Sequence, residues 1–383
     1  MPPIVIDLKN ADDRRDVVHR AVQTLAEGKL VVFPTETVYG VGAYARHAAG
    51  VEKLFLAKGR SQQAPLTLAI KSAEEILDYV ASPGRLAERL ARRCWPGPVT
   101  LILDLPERPP KTTDEGLLGQ LPESVQRVVA PNGTLGLRVP AHPTVLDILS
   151  MLTGPIALTS ANLSGEPAAV TAEQALASLG DKVALVLDDG PCRYGQPSSV
   201  VQTTGGTCRC IREGVVNQST LDRLSSMVVL LVCTGNTCRS PMAEVIMRHM
   251  VAEKLNCSAS DLDQRGVIIA SAGIAAVSAC APSREAVEVM QERGFDLSNH
   301  ESQPLTDKLA RHADILLTLT SGHLHALTRR WPDCAQRTQT LRHDGGDIND
   351  PIGGSVAMYR DCADQITSAL TERVAEIEFS QTT

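Results

Sequence analysis

Cys233 and Arg239 stand with five residues between them in V-C-T-G-N-T-C-R-S-P-M-A-E, directly after the apolar run Met227 to Leu231. A thiol and a guanidinium at that spacing, on a loop between a buried strand and a helix, are the parts of an anion cradle with a nucleophile in it. Backbone N–H groups from Thr234 to Arg239 can turn inward on a tetrahedral anion, the following helix adds the positive end of its dipole, and Arg239 can grip two phosphoryl oxygens. The same donors would stabilise a thiolate at Cys233, the form that attacks phosphorus. Spacing alone is a weak signal in a chain with 10 cysteines. The strand before it, Gly235 and Asn236 in the turn, and a helix start expected at Ser240-Pro241, with proline at the first helical position, make it specific. Cys238 could close a disulfide with Cys233 under oxidation, or be an ordinary loop cysteine.

A phosphocysteine pathway also needs a proton for the leaving group. The candidate acid is Asp350 in D-I-N-D-P-I-G-G-S, where Pro351, Gly353 and Gly354 shape a loop that presents a carboxyl rather than burying it. An Asp-Pro pair by itself is a common turn. With the nucleophile early and the acid late, residues 227–383 resemble the low-molecular-weight protein tyrosine phosphatases along their whole length. The resemblance implies that Cys233 attacks, Arg239 binds the phosphoryl group, Asn236 and Ser240 hold the loop and the thiolate, and Asp350 protonates the leaving group and then activates water, with no cofactor. Thr234, Gly235, Thr237 and Cys238 complete the family's phosphate loop, and Ser271-Ala272-Gly273 also falls where the family has it.

Two departures bear on the substrate. Tyrosine-specific members usually carry an aromatic residue just after the Asp-Pro, where Ile352 stands here, and an aliphatic residue at the place of Thr237. Both features are similar to the bacterial protein-arginine phosphatases, which implies a phosphoprotein substrate carrying phosphoarginine in preference to phosphotyrosine. Tyrosine phosphatase and arsenate reductase are the alternatives. The latter share the fold but usually need further resolving cysteines, and Cys280, Cys334 and Cys362 are not at an obvious pair spacing.

The N-terminal half offers Lys58-Gly59-Arg60, Ser160-Ala161-Asn162, Arg138 in L-R-V-P, and Arg212. Taken singly these are a solvated helix end and a turn or cap. Together with P-T-E-T-V-Y-G, C-W-P-G-P-V-T and G-Q-P-S-S-V, in that order along the chain, they resemble the YrdC-like threonylcarbamoyl-AMP synthases over residues 4 to about 216. The resemblance implies condensation of L-threonine, bicarbonate and ATP to threonylcarbamoyl-AMP and pyrophosphate in a concave basic cavity on a twisted sheet, the product feeding tRNA modification. Lys58, Arg60 and Arg212 would neutralise the triphosphate, with Mg2+ bridging its phosphates, while Thr134, Ser160 and Asn162 would orient the nucleotide. Thr35, Arg138 and Ser198 would hold the threonine, Arg138 facing its carboxylate. Positioning and charge stabilisation could carry this reaction without a covalent nucleophile. Ser61 stands where the family normally has proline, and the loop 107–131 is longer than usual. The rival reading is a module that binds double-stranded RNA on the same concave sheet without catalysis. Carbamoyl transfer of the hydrogenase-maturation type would need zinc-finger cysteines and an acylphosphatase segment, and the sequence has neither.

These groups need a scaffold. In 383 residues with 43 % hydrophobic content, two domains are expected: 1–216, a linker at 217–226, and 227–383. The fold class is α/β. The first domain reads as a mixed α/β twisted sheet, with strand-like runs at 29–33, 98–104, 135–139, 156–159, 183–188 and 199–202. The second reads as a doubly wound four-stranded parallel sheet, strands near 228–233, 267–270 and 315–319 alternating with helical periods and a final helix near 356–377. Glu107 to Pro131 is polar, contains prolines and lacks periodicity, so a mobile surface loop is expected there. The first residues lack a basic segment ahead of an apolar run, and no stretch approaches the length of a membrane span, so a cytoplasmic location without membrane contact is expected. A net charge of -7 disfavours a surface that coats nucleic acid, though tRNA or tRNA-modifying proteins are partners the resemblance implies. Cys208 and Cys210 read as alternate positions on one strand face, and no metal site is expected.

Overall fold

Strand segments such as V-V-F and V-T-L-I-L-D are buried along almost their whole length, so they belong inside a sheet covered on both faces. The computed structural model describes residues 2–59, 65–105 and 116–379, which divide into two units, Met1–Leu224 and Ser225–Thr383. Among the described residues of the first unit the strands are β1 (Ile4–Asp7), β2 (Val31–Phe33), β3 (Gly40–Tyr44), β4 (Thr67–Ala69), β5 (Val99–Asp104), β6 (Thr134–Arg138), β7 (Ile156–Ser160), β8 (Leu185–Asp188), β9 (Ser199–Thr204) and β10 (Thr207–Arg212). They form one mixed sheet in the order β1-β8-β2-β3-β7-β4-β6-β5-β9-β10.

The two-residue period of the strands sorts side chains between the faces. In β5 and β6, Leu101, Leu103, Leu135 and Leu137 enter the larger core, which also takes the helices Ala48–Lys58, Arg85–Cys94 and Glu123–Val129. Their neighbours Thr100, Ile102, Thr134, Gly136 and Arg138 line a cavity instead. A smaller core on Val31 and Phe33 is covered by the helices Arg14–Ala26 and Pro143–Met151. Cys208 and Cys210 both pack against the larger core from β10.

Two expectations about connections change. The expected mobile loop at 107–131 is helical over Gly116–Gly119 and Glu123–Val129, with residues 106–115 outside the described residues. Leu121, Val125 and Val129, four apart, put one face of this stretch into the larger core, while Glu123, Gln126 and Arg127 mask that period in the sequence. The stretch expected as a linker, with a short helix expected over 219–224, does carry that helix, at Gln218–Ser225, but its Leu221 is fully buried in the core of the first unit. The Leu224 carbonyl accepts a 2.7 Å hydrogen bond from Arg93.

In the second unit β11 (Met227–Cys233), β12 (Val267–Gly273), β13 (Ile315–Thr318) and β14 (Thr338–Thr340) form a parallel sheet in the order β12-β11-β13-β14. The chain leaves β11 toward β12 on one side and returns to β13 on the other, so the C-terminal end of β11, at Cys233, lies at the switch in strand order. The helices Arg239–Lys254, Arg284–Glu292 and Val356–Glu376 pack together on one face, and the helix Ser321–Arg330 follows β13. Among the described residues no helix is long and apolar enough to cross a membrane.

Leu101 is fully buried at the centre of the larger core. Leu101→Ala should destabilise the first unit by about 2–5 kcal/mol. Urea unfolding of the purified chain checks this; a midpoint equal to wild type would contradict the placement of β5.

Candidate active sites

A cavity of the first unit with a volume of about 660 Å³ gathers residues from eight separate stretches of the chain. Thr35, Lys58, Thr134, Arg138, Ser160, Asn162, Ser198 and Arg212 all line it. Arg60 lies outside the described residues. Lys58 ends the helix Ala48–Lys58, and Gly59 caps it with φ of 57°, a left-handed turn that glycine adopts without strain. The Lys58 ammonium donates to the Ser160 carbonyl at 2.7 Å and to the Asn162 carbonyl and side-chain oxygen, so a buried cation holds the chain just past β7. The Asn162 amide in turn donates to the carbonyls of Leu163 (2.9 Å) and Glu166 (2.7 Å). Arg212, at the end of β10, reaches back to the Ser198 carbonyl at 2.8 Å. Burial, and then the nearby Arg138 cation, lowers the pKa of Arg212 from its ordinary value.

Arg138 is not a free guanidinium. Its Nη2 donates to Glu36 Oε1 at 2.6 Å and Thr37 Oγ1 at 2.8 Å, and its Nε donates to the Gly97 carbonyl at 3.2 Å. Glu36 also accepts from the Ala141 amide at 2.9 Å, which fixes the carboxylate and through it the arginine. Thr35 donates to the Val38 carbonyl at 2.6 Å, and Thr100 pairs with Ser198 at 3.1 Å. Reading the sequence singled out neither Glu36 nor Thr37, although the carboxylate inside P-T-E-T is the group that a buried Arg138 needs as counterion.

In the second unit the loop after β11 is held from outside. The carbonyls of Cys233, Thr234, Asn236 and Thr237 accept from Ile274 N (3.0 Å), Ala275 N (3.0 Å), His300 Nε2 (2.9 Å) and Ser283 N (2.9 Å). In a trans peptide the N–H points opposite to the C=O, so the amides of Thr234, Gly235, Thr237 and Cys238 face into the loop. The Asn236 amide points at Cys233 Sγ at 3.2 Å, and Ser240 Oγ lies 2.9 Å from the same sulfur. Asn236, with φ of 56°, makes the bend and ties it down through Nδ2 to Ser240 and Ser271 and through Oδ1 to the Gln303 amide. Ser271 donates to Glu244 at 2.6 Å, and burial raises the pKa of that carboxyl. The following helix starts at Arg239, one residue before the expected start, with Pro241 at its third position. Proline is tolerated there because the first-turn N–H groups have no partner within the helix.

Arg239 is almost fully buried, and its Nη2 pairs with Asp350 Oδ2 at 2.6 Å, while Nη1 donates to the Ile348 carbonyl at 3.3 Å. Asp350 itself is half exposed, and Ile352 beside it is 70 % exposed. Cys238 is buried against the Tyr359 hydroxyl at 3.4 Å, and burial together with that thiol pushes Tyr359 up to about 12. Thr237 Oγ1 lies 3.6 Å from Cys238 Sγ. His300, Gln303, His323 and Tyr359 all brace this loop and carry no local motif; the topology alone brings them there.

Comparison with known proteins agrees with this division. The Sua5/YciO/YrdC family model, described as "Telomere recombination", matches residues 23–214, and that described as "Low molecular weight phosphotyrosine protein phosphatase" matches residues 228–382. The chain is similar to a putative threonylcarbamoyl-AMP synthase of Mycobacterium tuberculosis, 37 % identical over 211 residues that cover 55 % of this chain and 90 % of the relative. Among solved structures it is similar to Pyrococcus abyssi Sua5, 26 % identical with a TM-score of 0.51 over 70 % of this chain and 91 % of that one. It is also similar to the YwlE arginine phosphatase of Geobacillus stearothermophilus, 32 % identical with a TM-score of 0.34 over 39 % of this chain and 92 % of that one.

Gly273, at the end of β12, touches the phosphate loop: a Cβ there would lie 2.4 Å from the Thr234 carbonyl oxygen and 3.0 Å from the Asn236 amide. Both are backbone atoms of the cradle. Gly273→Ala should therefore weaken binding of inorganic phosphate or tungstate at least tenfold, read by isothermal titration, while Gly322→Ala, whose Cβ would meet only Thr320 Oγ1 at 3.7 Å, should not.

Proposed function

Because the chain belongs to the Sua5/YciO/YrdC family and carries a low-molecular-weight phosphatase domain after it, we propose a two-enzyme chain in which threonylcarbamoyl-AMP synthesis is followed in sequence by a phosphoarginine phosphatase. The observation that supports the first activity is the convergence of Lys58, Arg138 and Arg212 on one cavity whose sheet face also presents Thr100, Thr134 and Ser198. MgATP enters as substrate, its phosphates facing Lys58 and Arg212. The L-threonine nitrogen adds to the bicarbonate carbon and a C–O bond breaks with loss of water, giving a carbamate whose oxygen attacks the α-phosphorus, and pyrophosphate leaves with its charge matched by these cations. Arg138, locked by Glu36, offers its remaining N–H edge to the threonine carboxylate. The product serves tRNA modification, and the setting is the cytoplasm.

The observation that supports the second activity is a sulfur surrounded by inward amides and a serine hydroxyl, with Arg239 and Asp350 joined beside it. When a phosphoryl group enters the loop, Arg239 transfers its N–H donors from Asp350 to the phosphoryl oxygens, and the half-exposed carboxylate, released from its cation, takes up a proton from solvent. The Cys233 sulfur then attacks phosphorus, the P–N bond of phosphoarginine breaks, and Asp350 gives its proton to the departing guanidino nitrogen. Asp350 next takes a proton from water, and the resulting hydroxide cleaves the phosphocysteine. Phosphoarginine fits the mouth better than phosphotyrosine for two reasons. Ile352 supplies no aromatic face to stack on a phenyl ring, and the Thr237 hydroxyl can accept from a guanidinium N–H.

Two assays on the full chain separate these readings. Lys58→Ala should lower threonine- and bicarbonate-dependent pyrophosphate release by two orders of magnitude or more and spare phosphatase turnover, and Cys233→Ser should do the reverse. Tight binding of double-stranded RNA with no pyrophosphate release would instead favour the RNA-binding module. Turnover of a phosphoarginine peptide should exceed that of a phosphotyrosine peptide, and Thr237→Ile should narrow the ratio; faster phosphotyrosine turnover by the wild type would defeat the assignment.

A further inference from the structure

His323 has no part in the roles above, yet it touches the phosphate loop. It stands in the first turn of the helix Ser321–Arg330, where Thr320 caps the helix and accepts the His323 amide at 3.2 Å. Its side chain is 6 % exposed, Nε2 lies 2.8 Å from Thr234 Oγ1, and Nδ1 is buried with no hydrogen-bond partner among the described residues. Thr234 is the residue next to the nucleophile, and its backbone carbonyl is already fixed by Ala275 N. Burial, then the Arg239 cation, pushes the imidazole down to about 4 against the opposing pull of Asp350 and Asp347. The ring is therefore neutral at neutral pH, with one N–H and one lone pair to assign.

Two assignments are open to a neutral ring facing a hydroxyl. If Nε2 accepts from Thr234, the proton sits on Nδ1, and a donor is buried with no acceptor. If Nε2–H donates to Thr234 Oγ1, only a lone pair is buried, and the Thr234 hydroxyl keeps its own proton to give elsewhere. The second arrangement is the cheaper, because orphaned buried N–H groups are the costlier defect.

We propose that His323 is a positioning residue for the phosphatase: by donating Nε2–H to Thr234 Oγ1, it fixes the Thr234 hydroxyl so that its proton is offered to a phosphoryl oxygen at the mouth of the loop. The proposal rests on the phosphatase reading above. Neutrality belongs to the design, since a second cation here would compete with Arg239 for Asp350 and hold the acid in place when it must move. A side chain with the same reach and an N–H at its tip can replace the ring; an apolar ring of the same size cannot.

The test is a double-mutant cycle on the full chain with p-nitrophenyl phosphate as probe. Thr234→Val and His323→Phe should each lower kcat roughly tenfold with little change in KM, and the double variant should be no worse than either alone. His323→Gln, whose amide nitrogen reaches the Nε2 position, should recover most of the rate. Multiplicative losses in the double variant, or wild-type kcat in Thr234→Val, would overturn the proposal. Circular dichroism gives the folded fraction; should His323→Phe not fold, Thr234→Val and His323→Gln decide alone by the same criteria. Absence of any Cys233-dependent turnover in the wild type defeats the phosphatase reading itself, whereas normal wild-type turnover with an indifferent Thr234→Val defeats only this inference.

Discussion

The second unit depends on the fact that a peptide group cannot point its oxygen and its hydrogen the same way. A loop of six residues can gather its amides around one point only if its carbonyls are satisfied on the outside, because a buried carbonyl without a donor is as costly as a lost hydrogen bond. Ile274 and Ala275 supply backbone donors from the turn after β12, Ser283 supplies another from the start of the next helix, and His300 supplies a ring nitrogen. The cradle is thus assembled by segments up to about 65 residues away in sequence, and its shape follows from their positions rather than from the loop's own preferences. Asn236 is the exception, since its left-handed φ of 56° and its two-ended amide do locally what the rest do from afar.

The two sites solve the problem of holding phosphate in different ways. The second unit has inward backbone dipoles plus one arginine, so little charge has to be buried, and Arg239 is paired with a half-exposed carboxylate. The first unit gathers side-chain cations around one cavity, and each must be neutralised or solvated there. Lys58 does so with backbone carbonyls, Arg138 with the Glu36 carboxylate, and Arg212 with the Ser198 carbonyl. Buried cations without such partners would leave or lose their charge.

That difference explains what was legible in the sequence. The strand, loop and helix around Cys233 are contiguous, so a single stretch of text carried the nucleophile, the arginine and the bend. Asp350 was readable from its Gly-rich loop, and the structure brings it to Arg239. The braces were not readable, because His300, Gln303, His323 and Tyr359 are set by β-strand order and helix packing, which leave no local pattern. In the first unit Lys58, Ser160 and Asn162 were found as motif fragments, whereas Glu36 and Thr100 were passed over because Glu36 gains its role only when the loop after β2 meets β6, and Thr100 only when β5 pairs with β9. Residues 116–129 were read as a loop because polar residues interrupt an otherwise regular spacing of Leu121, Val125 and Val129. Periodicity over fewer than three turns is a weak signal against that background.

The same contrast fixes where each site tolerates change. A cradle of amides is intolerant of any atom that displaces its backbone, which is why Gly273, 2.4 Å from the Thr234 carbonyl at its would-be Cβ, is constrained although its own side chain takes no part in the site. A cavity of cations depends on charge instead: removing Glu36 would leave the Arg138 guanidinium buried near Arg212 with only neutral acceptors, and the two charges would repel across the cavity. The geometry of the first site is therefore set by the partners of its cations, Glu36 foremost, and that of the second by the path of the main chain.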